Sequence, residues 1–433
     1  MTAPGLLRAR SPRSTTIGAR PAPRSLRRSR CPRPRSKPLR QHAVTLNAGS
    51  SSIKFALFRV EADRPILIAN GQAEGLGATP SFRARILGGD ERCAALPASD
   101  HATATHAIVD WIDDAFPDIS VSAVGHRIVH GGVDYAAPVI LDDHKVAALQ
   151  ALIPLAPLHQ PHNLAGVAAA RTAFPGVPQV ACFDTAFHRG HEFVNEAYAL
   201  PRALYDRGLR RFGFHGLSYE FIARRLREID PHRAKGRVIV AHLGNGASLC
   251  AMKNRRSVAS TMGFSALEGL PMGTRCGQID PGLLLYLLEH DKMSTAELSR
   301  LLYRESGLFG LSGVSQDMRA LEASDARFAQ DAIDYFVHRI QMEIGALAAT
   351  IEGIDALIFT GGIGEHSARV RAGVIGKLGW LGLAFDRDAN EAHAQLISAP
   401  SSSASIYVLT TDEEAMIAHH AIEAVGLIPA AAA

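Results

Sequence analysis

Short apolar runs that stop at glycine-rich turns recur along the chain. They read VTLNAGSSSIKFALF (44–58), AVGHRIVHGG (123–132), VPQVACFDTAFH (177–188), VIVAHLGNGASLCAM (238–252) and ALIFTGGIGEHSARVRAGV (356–374). Each predicts a strand followed by a turn; the first and fourth continue into a second strand, and the last into a helix that starts just after its glycines. Strands of this kind, separated by helical segments, predict an α/β fold.

Helical periodicity is clearest in two later segments. Residues 283–305 and 325–352 are predicted to be helical, and DAIDYFVHRIQMEIGALAATIE in the second segment has apolar residues at three- and four-residue spacing. A final helix is expected from near Asp412 to Ala424, followed by an alanine-rich tail.

The two predicted hairpins resemble each other. Placing Gly49 on Gly246, an offset of 197 residues, aligns apolar runs on both sides of the two turns. This short internal similarity suggests two related halves, each with one glycine turn. The length of 433 residues favours two domains on its own.

Composition narrows the class of protein. The chain is 47% apolar and 20% charged, and no apolar stretch approaches the ~18 residues of a membrane span, so we expect no membrane partner. The five cysteines are scattered without a C-x-x-C pair. This argues against a zinc site or a disulfide framework and favours a cytoplasmic location.

The charge is unevenly distributed. Residues 1–40 hold eleven arginines, Lys37 and no acidic residue, so the rest of the chain carries a net charge of −8 although the whole chain carries +4. An acidic body gives no support to a nucleic-acid partner. We expect residues 1–40 to be a disordered, non-catalytic extension; a transit peptide is the alternative, but prolines interrupt the amphipathic pattern that it needs.

The glycine turns are the first candidates for chemistry. LNAGSSSIK, HLGNGAS and TGGIGEHS each place small residues after an apolar strand, where successive N–H groups can form an anion-binding concavity. One such turn alone is more often structural, but three in one chain favour a nucleotide site. Neither GxxxxGK[ST] nor GxGxxG is present, which excludes the usual P-loop and Rossmann interpretations.

Charged and imidazole side chains in the same kind of loop are the second group of candidates. They are Arg127, Arg275, Arg319, His159, His215, His242, Asp184, Asp317, Glu365 and Glu413. Arginine suits bidentate binding of a carboxylate or phosphate, and phosphoryl transfer needs such positive charge. For Asp317 and Glu413, helix capping or a first-turn charge is an equally good interpretation.

Nine motifs in a fixed order identify a family. NAGSSSIKF, GHRIVHGG, PLHQPHN, CFDTAFH, FGFHGLS, HLGNGAS, MGTRCGQIDPG, GGIGEHS and TTDEE resemble those of the acetokinase family of short-chain carboxylate kinases, from about Val44 to Ala424. The resemblance implies the duplicated α/β fold of sugar kinases, actin and heat-shock chaperone ATPases, with the nucleotide in the interdomain cleft. It also implies a homodimer that reversibly phosphorylates acetate to acetyl phosphate with ATP.

The same resemblance implies a domain division. Residues 41–186 would form the N-terminal α/β domain, which a C-terminal helix at about 420–433 would rejoin. Residues 187–419 would form the second α/β domain, with most of the nucleotide-binding segments.

The resemblance further implies roles for single residues. The catalytic positions are Asp184, His215 and Arg275. The substrate-binding positions are Arg127, Val129, Leu158, His159 and Phe214. The metal positions, for Mg²⁺ with Mn²⁺ as the alternative ion, are Asn47 and Glu413. The positions for ATP or ADP are Ser50, Ser52, Lys54, His242, Leu243, Gly244, Asn245, Gly246, Asp317, Met318, Arg319, Gly361, Gly362, Ile363, Gly364 and Glu365.

Three alternatives stay open at this point. Ala266 replaces a proline usual in the family, so a slightly larger pocket makes propionate or butyrate an alternative substrate. Asp184 either acts as an acid or base or orients the metal or Arg127, and the second role is simpler because a carboxylate substrate has no proton to remove at neutral pH. An ATPase switch of the same fold is the remote alternative.

Overall fold

Two β-sheets organise the fold, one from each half of the chain. The computed structural model describes residues 41–49, 51–61, 64–77, 79–96 and 100–429. The predicted extension, residues 1–40, and the predicted nucleotide-binding Ser50 lie outside the described residues, so both stay predictions.

The strands divide between the sheets in chain order. The first sheet contains β1 (Gln41–Ala48), β2 (Ser52–Val60), β3 (Pro65–Glu74), β4 (Ser81–Ile86), β5 (Glu91–Ala95), β6 (Ser120–Ile128), β7 (Val139–Ile140) and β8 (Gln179–Phe183). The second contains β9 (Arg237–Leu243), β10 (Ala247–Lys253), β11 (Arg256–Ser260), β12 (Ala356–Thr360) and β13 (Ser405–Val408).

The α-helices lie between and after these strands. They are α1 (His101–Ala115), α2 (Asp143–Ala151), α3 (Gln160–Ala173), α4 (Phe193–Glu196), α5 (Arg202–Asp206), α6 (Gly216–Ile229), α7 (Pro281–Glu289), α8 (Thr295–Arg304), α9 (Gly307–Ser312), α10 (Met318–Glu322), α11 (Arg327–Thr350), α12 (Gly361–His366), α13 (Ala368–Ile375), α14 (Arg387–Glu391) and α15 (Glu413–Ala424).

The two sheets share one strand order. Five strands of the first run β3-β2-β1-β6-β8, and the second runs β11-β10-β9-β12-β13. In each, the first strand in chain order pairs antiparallel with the next and parallel with a later one, β6 beside β1 and β12 beside β9. The predicted duplicated α/β fold is therefore confirmed. Gly49 and Gly246 do not occupy equivalent positions, because Gly49 is the first residue of its turn and Gly246 is the last residue of its own turn.

Buried strands and amphipathic helices form the cores. Every residue of β8 and β12 is buried, as expected of parallel strands covered on both faces. On the second sheet, α11 packs through residues spaced three and four apart, among them Ile333, Phe336 and Ile340. Helices α1 and α3 cover the first sheet.

Helices α6 and α15 lie between the sheets. Helix α15 packs on β1, β6 and β8, α6 contacts β9 and β8, and the two helices contact each other. Met416 and Ile417 of α15 share one apolar cluster with Leu217 of α6 and Val180 of β8. Both helices therefore lie where the two halves of the chain meet.

The helix predictions are partly confirmed. Helix α11 matches the predicted 325–352 segment, and α15 begins after Asp412 as expected. The helical segment predicted at 283–305 consists of two helices: α7 ends at Glu289 and α8 starts after Ser294, whose side chain forms a capping box with Glu297. Helix α12 begins at Gly361 itself rather than after the glycines.

The domain boundary near residue 186 stays a prediction, since the described residues belong to one compact unit. None of the helices in the described residues is long and apolar enough to cross a membrane.

Candidate active site

A cavity of about 570 Å³ opens at the carboxyl ends of strands from both sheets. Such strand ends are where open α/β sheets bind ligands. The predicted site residues on its wall are Asn47, Lys54, Arg127, Val129, His159, Asp184, Phe214, His215, His242, Gly244, Asn245, Gly246, Arg275, Gly361, Gly362, Glu365 and Glu413. Positions spread over most of the chain thus converge on one space.

A second cavity of about 430 Å³ continues from the first, with Gly244, Asn245 and Gly362 on both walls. The predicted Asp317, Met318, Arg319 and Ile363 line it. The residues that do not line either cavity, although they were predicted for the site, are Ser52, Leu158, Leu243 and Gly364.

Arg127 is held between two carboxylates. Its Nε and Nη2 donate to Asp184 at 3.0 and 2.7 Å, and its Nη1 lies 3.3 Å from Glu413 Oε2. Burial alone would lower the pKa of Arg127, but Asp184 and then Glu413 raise it well above its ordinary value. Burial raises the pKa of Asp184, and Arg127 opposes that rise. The guanidinium is therefore charged and fixed in direction.

His215 and Arg275 meet beside the turn that follows β9. His215 precedes α6 in the left-handed conformation, with φ of 58°. A Cβ added at Gly246 would lie 3.2 Å from His215 Nε2 and 3.4 Å from Arg275 Nη2, so both groups sit against this glycine. The absence of a side chain there keeps the space open to a ligand.

Arg275 is a partly buried cation without an acidic partner. Its Nη1 donates to the Ala266 carbonyl at 2.8 Å, and in the described part of the chain no carboxylate lies within ion-pair distance of it. Burial lowers its pKa, against a smaller opposing effect of Tyr303. A partly buried positive charge with no counter-ion favours an anion in the cavity.

The histidines of the cavity are neutral. The rings of His215 and His242 stack with centroids 4.4 Å apart. Burial, followed by nearby arginines, lowers the pKa of His242 and of His159 to about 4. Burial and then His242 lower the pKa of His215 well below its ordinary value. These rings offer the cavity uncharged nitrogen atoms.

The turn after β12 is held by its own glutamate. Gly361 has φ of 78°, and its N–H donates to Glu365 Oε1 at 2.9 Å. A Cβ at Gly361 would lie 2.8 Å from the Leu243 carbonyl oxygen, so the turn packs directly on the end of β9. The glycine turns of β9 and β12 are therefore neighbours that line the passage between the cavities.

Comparison with known proteins decides the family. The profile of the Acetokinase family matches residues 42–419. The chain belongs to the acetokinase family. An acetate kinase of Methylocella silvestris is 56% identical over 390 residues, covering 88% of this chain and 96% of its own. The predicted class, a phosphotransferase with a carboxyl acceptor, is thereby confirmed.

Solved structures of the acetokinase family agree with the fold. A crystal structure of Porphyromonas gingivalis acetate kinase matches with a TM-score of 0.81 and 36% identity, covering 89% of this chain and 100% of its own. A propionate kinase from Francisella tularensis matches with a TM-score of 0.82 and 33% identity, covering 88% of this chain and 99% of its own.

Asn163 is a residue of this acetokinase-family site that sequence analysis missed. Its Nδ2 donates to the Ala48 carbonyl at 2.7 Å, and its Oδ1 accepts from the Val129 N–H at 2.9 Å. It therefore ties the end of β1 to the segment after Arg127. The available signal was its spacing, four residues after His159, which is the cap residue of α3.

Other wall residues also lacked a prediction. In the first cavity they are Ala48, Gly49, Ala266, Thr410, Thr411 and Glu414, with Ala266 singled out only for substrate preference. In the second they are Gln316, Glu322, His366 and Ser367.

Asp317 and Glu413, for which helix capping or a first-turn charge was the alternative interpretation, have such structural roles. Asp317 caps α10, accepting from the Arg319 N–H at 3.0 Å, and also lines the second cavity. Glu413 is the first residue of α15, while Asp412 is its cap and accepts from the Ala415 N–H at 2.8 Å. A structural role and a place at the cavity are thus compatible.

Proposed function

We propose that this chain is an acetate kinase, which transfers the γ-phosphoryl group of ATP to acetate and catalyses the reverse reaction. The observation that supports it most is the fixed, charged Arg127 in the same cavity as His215 and Arg275. The Arg127 guanidinium suits a small carboxylate, and His215 together with Arg275 suits a phosphoryl group. The curated relatives named acetate kinase support the same conclusion.

In the proposed reaction, Arg127 binds the acetate carboxylate, whose methyl group faces Val129, Phe214 and Ala266. One carboxylate oxygen attacks the γ-phosphorus in line. A P–O bond forms as the bond to the β,γ-bridging oxygen breaks, and ADP leaves with that electron pair. No proton is removed from acetate, because it is ionised at neutral pH.

The transferring phosphoryl group would lie between His215 and Arg275. Charge spreads over its equatorial oxygens in the transition state, where a fixed guanidinium and a neutral N–H donor stabilise it. Lys54 and the glycine turns after β1, β9 and β12 would hold the remaining phosphates, and the second cavity the nucleoside.

A divalent cation fits this donor set. Asn47, Glu413 and Glu414 bring oxygen donors to the cavity, and burial followed by Glu413 raises the pKa of Glu414, a repulsion that a cation would relieve. In the described ranges no group of three or more acidic, histidine or cysteine side chains could hold a metal alone. A divalent cation held with a nucleotide takes one or two carboxylates, and phosphate and water complete its ligands. Asn47 and Glu413 would hold Mg²⁺, or Mn²⁺, which neutralises phosphate charge.

We propose an orienting role for Asp184. Replacing Asp184 with asparagine should raise KM for acetate at least about 10-fold, because Arg127 loses a charge-assisted partner and its fixed direction. Steady-state kinetics at several pH values test this. An acid or base role predicts instead a loss confined to kcat with a changed pH profile, and that result would contradict the proposal.

The experiment for the function itself is a hydroxamate assay. With ATP and Mg²⁺, acyl phosphate should form with acetate, propionate and butyrate, with the highest kcat/KM for acetate; one methylene is worth ~1–3 kcal/mol of discrimination. A higher kcat/KM for propionate would make the chain a propionate kinase, an alternative that Ala266 and the propionate kinase neighbour keep open. Phosphate release without any acid would favour the ATPase switch.

We also propose that the enzyme works as a cytoplasmic homodimer. Exposed apolar side chains on α7, at Leu283, Leu285 and Tyr286, support an interface. Sedimentation equilibrium should give twice the 46.3 kDa chain mass, and a monomer at micromolar concentration would contradict the proposal.

A further inference from the structure

Two histidines of the cavity each contact a serine, and the two contacts join α6 to the β9–β10 hairpin. His215 precedes α6, and its Nδ1 lies 2.9 Å from Ser248 Oγ of β10. His242 is on β9, and its Nδ1 lies 2.8 Å from Ser218 Oγ of α6. The helix and the β9–β10 hairpin therefore exchange one histidine–serine contact in each direction.

Each serine has one more hydroxyl partner. Tyr219 Oη lies 2.5 Å from Ser248 Oγ, and Thr411 Oγ1 donates to Ser218 Oγ at 2.9 Å. Ser248, Ser218 and Tyr219 are fully buried. Because solvent is excluded from these three side chains, their hydroxyl protons must find acceptors within the protein.

The number of hydroxyl protons decides which group donates in the hydrogen bonds that join Tyr219, Ser248 and His215. In the described part of the protein, Ser248 is the only hydrogen-bond partner of the Tyr219 hydroxyl. If Ser248 donated to Tyr219, the phenol proton would be buried without an acceptor, which is costly. Tyr219 therefore donates to Ser248, and Ser248 donates to His215 Nδ1. The ring proton of His215 is then on Nε2.

The hydrogen bonds that join Thr411, Ser218 and His242 run in the same direction, from hydroxyl to histidine. Thr411 donates to Ser218, so the Ser218 proton is directed to His242 Nδ1. The ring proton of His242 is thus also on Nε2. Both rings are neutral, since burial lowers the pKa of each. His215 Nε2 is the nitrogen that lies against Gly246 at the cavity wall.

We propose that these two hydroxyl pairs are positioning groups that lock both histidines in the tautomer with the proton on Nε2. Ser248 and Tyr219 act on His215, and Ser218 and Thr411 act on His242. Their use in catalysis rests on the proposed function: phosphoryl oxygens accept hydrogen bonds, and the other tautomer would direct a lone pair at an anion. Donors oriented before the reaction need no reorganisation in the transition state.

Two substitutions at Ser248 test the lock by kinetics. Ser248→Ala removes the hydroxyl, and Ser248→Cys keeps a similar shape with a weak donor. Both should lower kcat by about 10- to 100-fold, somewhat less than the ~10²–10³ lost with a direct donor, and leave KM for acetate and ATP within about two-fold. Ser260→Ala in β11 is the matched control, because this hydroxyl has no hydrogen-bond partner in the described chain. Normal kcat in Ser248→Cys would reduce Ser248 to a packing role and overturn the proposal.

Nitrogen NMR of ¹⁵N-histidine-labelled protein tests the lock without turnover. With His215→Asn assigning the signal, His215 should show an unprotonated Nδ1 and a protonated Nε2, and Ser248→Ala should give a mixture of tautomers. A proton on Nδ1 in the unsubstituted protein would overturn the proposal. If no acid yields acyl phosphate, the proposed function fails, while the NMR result still decides the lock.

Discussion

Replacing Arg275 with alanine should lower kcat for acyl phosphate formation by about 10²- to 10³-fold. Arg275 is the partly buried guanidinium beside His215 Nε2 at Gly246, with a backbone carbonyl as its hydrogen-bond acceptor. Its charge is therefore free to stabilise the transition state, and its loss should affect kcat more than KM. Because no ion pair in the described residues depends on it, the fold should persist.

The control for this prediction is Arg300→Ala. Arg300 lies on α8, pairs with Glu305 at 3.0 Å and has 62% of its side chain exposed, so its removal should leave both kcat and stability unchanged. Circular dichroism and the hydroxamate assay on both variants separate a chemical from a structural loss. Full activity in Arg275→Ala would contradict the proposed mechanism.

Replacing Arg371 with methionine should lower the free energy of unfolding by at least about 3 kcal/mol. Arg371, on α13, is fully buried. Its donors reach the side chain and carbonyl of Asn390, the carbonyls of Gly364 and Glu365, and His393 Nδ1. Methionine has a similar length but no donor, so these acceptors would be buried without partners.

Arg371 also supports the predicted nucleotide-binding segment, since Gly364 and Glu365 belong to α12. KM for ATP should therefore rise in Arg371→Met under conditions where the protein is folded. Arg369→Met, two residues earlier on the same helix, is the matched control because Arg369 is exposed and contacts Gln330 at the surface. Denaturant unfolding of both variants measures the difference. Equal unfolding free energies would show that the network around Arg371 adds nothing.

Local patterns predicted the parts of the site that depend on chain neighbours. The strand–glycine signal placed the hairpins at Gly49 and Gly246, and the strand before Asp184, where the structure has them. The helical segment predicted at 283–305 consists of two helices, because a capping box at Ser294 starts a new helix. Periodicity reports which side of a segment is apolar and does not report where the segment bends.

The sequence by itself determined the α/β class and the duplicated hairpins. It also determined that Arg127, His215 and Arg275 belong to one cavity. These follow from local residue order and from motifs that resemble a family. Only the tertiary structure decided which side chains hold them in place. Asn163 reaches Ala48 across 115 residues, and Ser248 reaches His215 across 33. The first contact depends on how α3 packs on β1, and the second on how α6 packs on the β9–β10 hairpin. Many distant residues set such packing together, and no local pattern contains it.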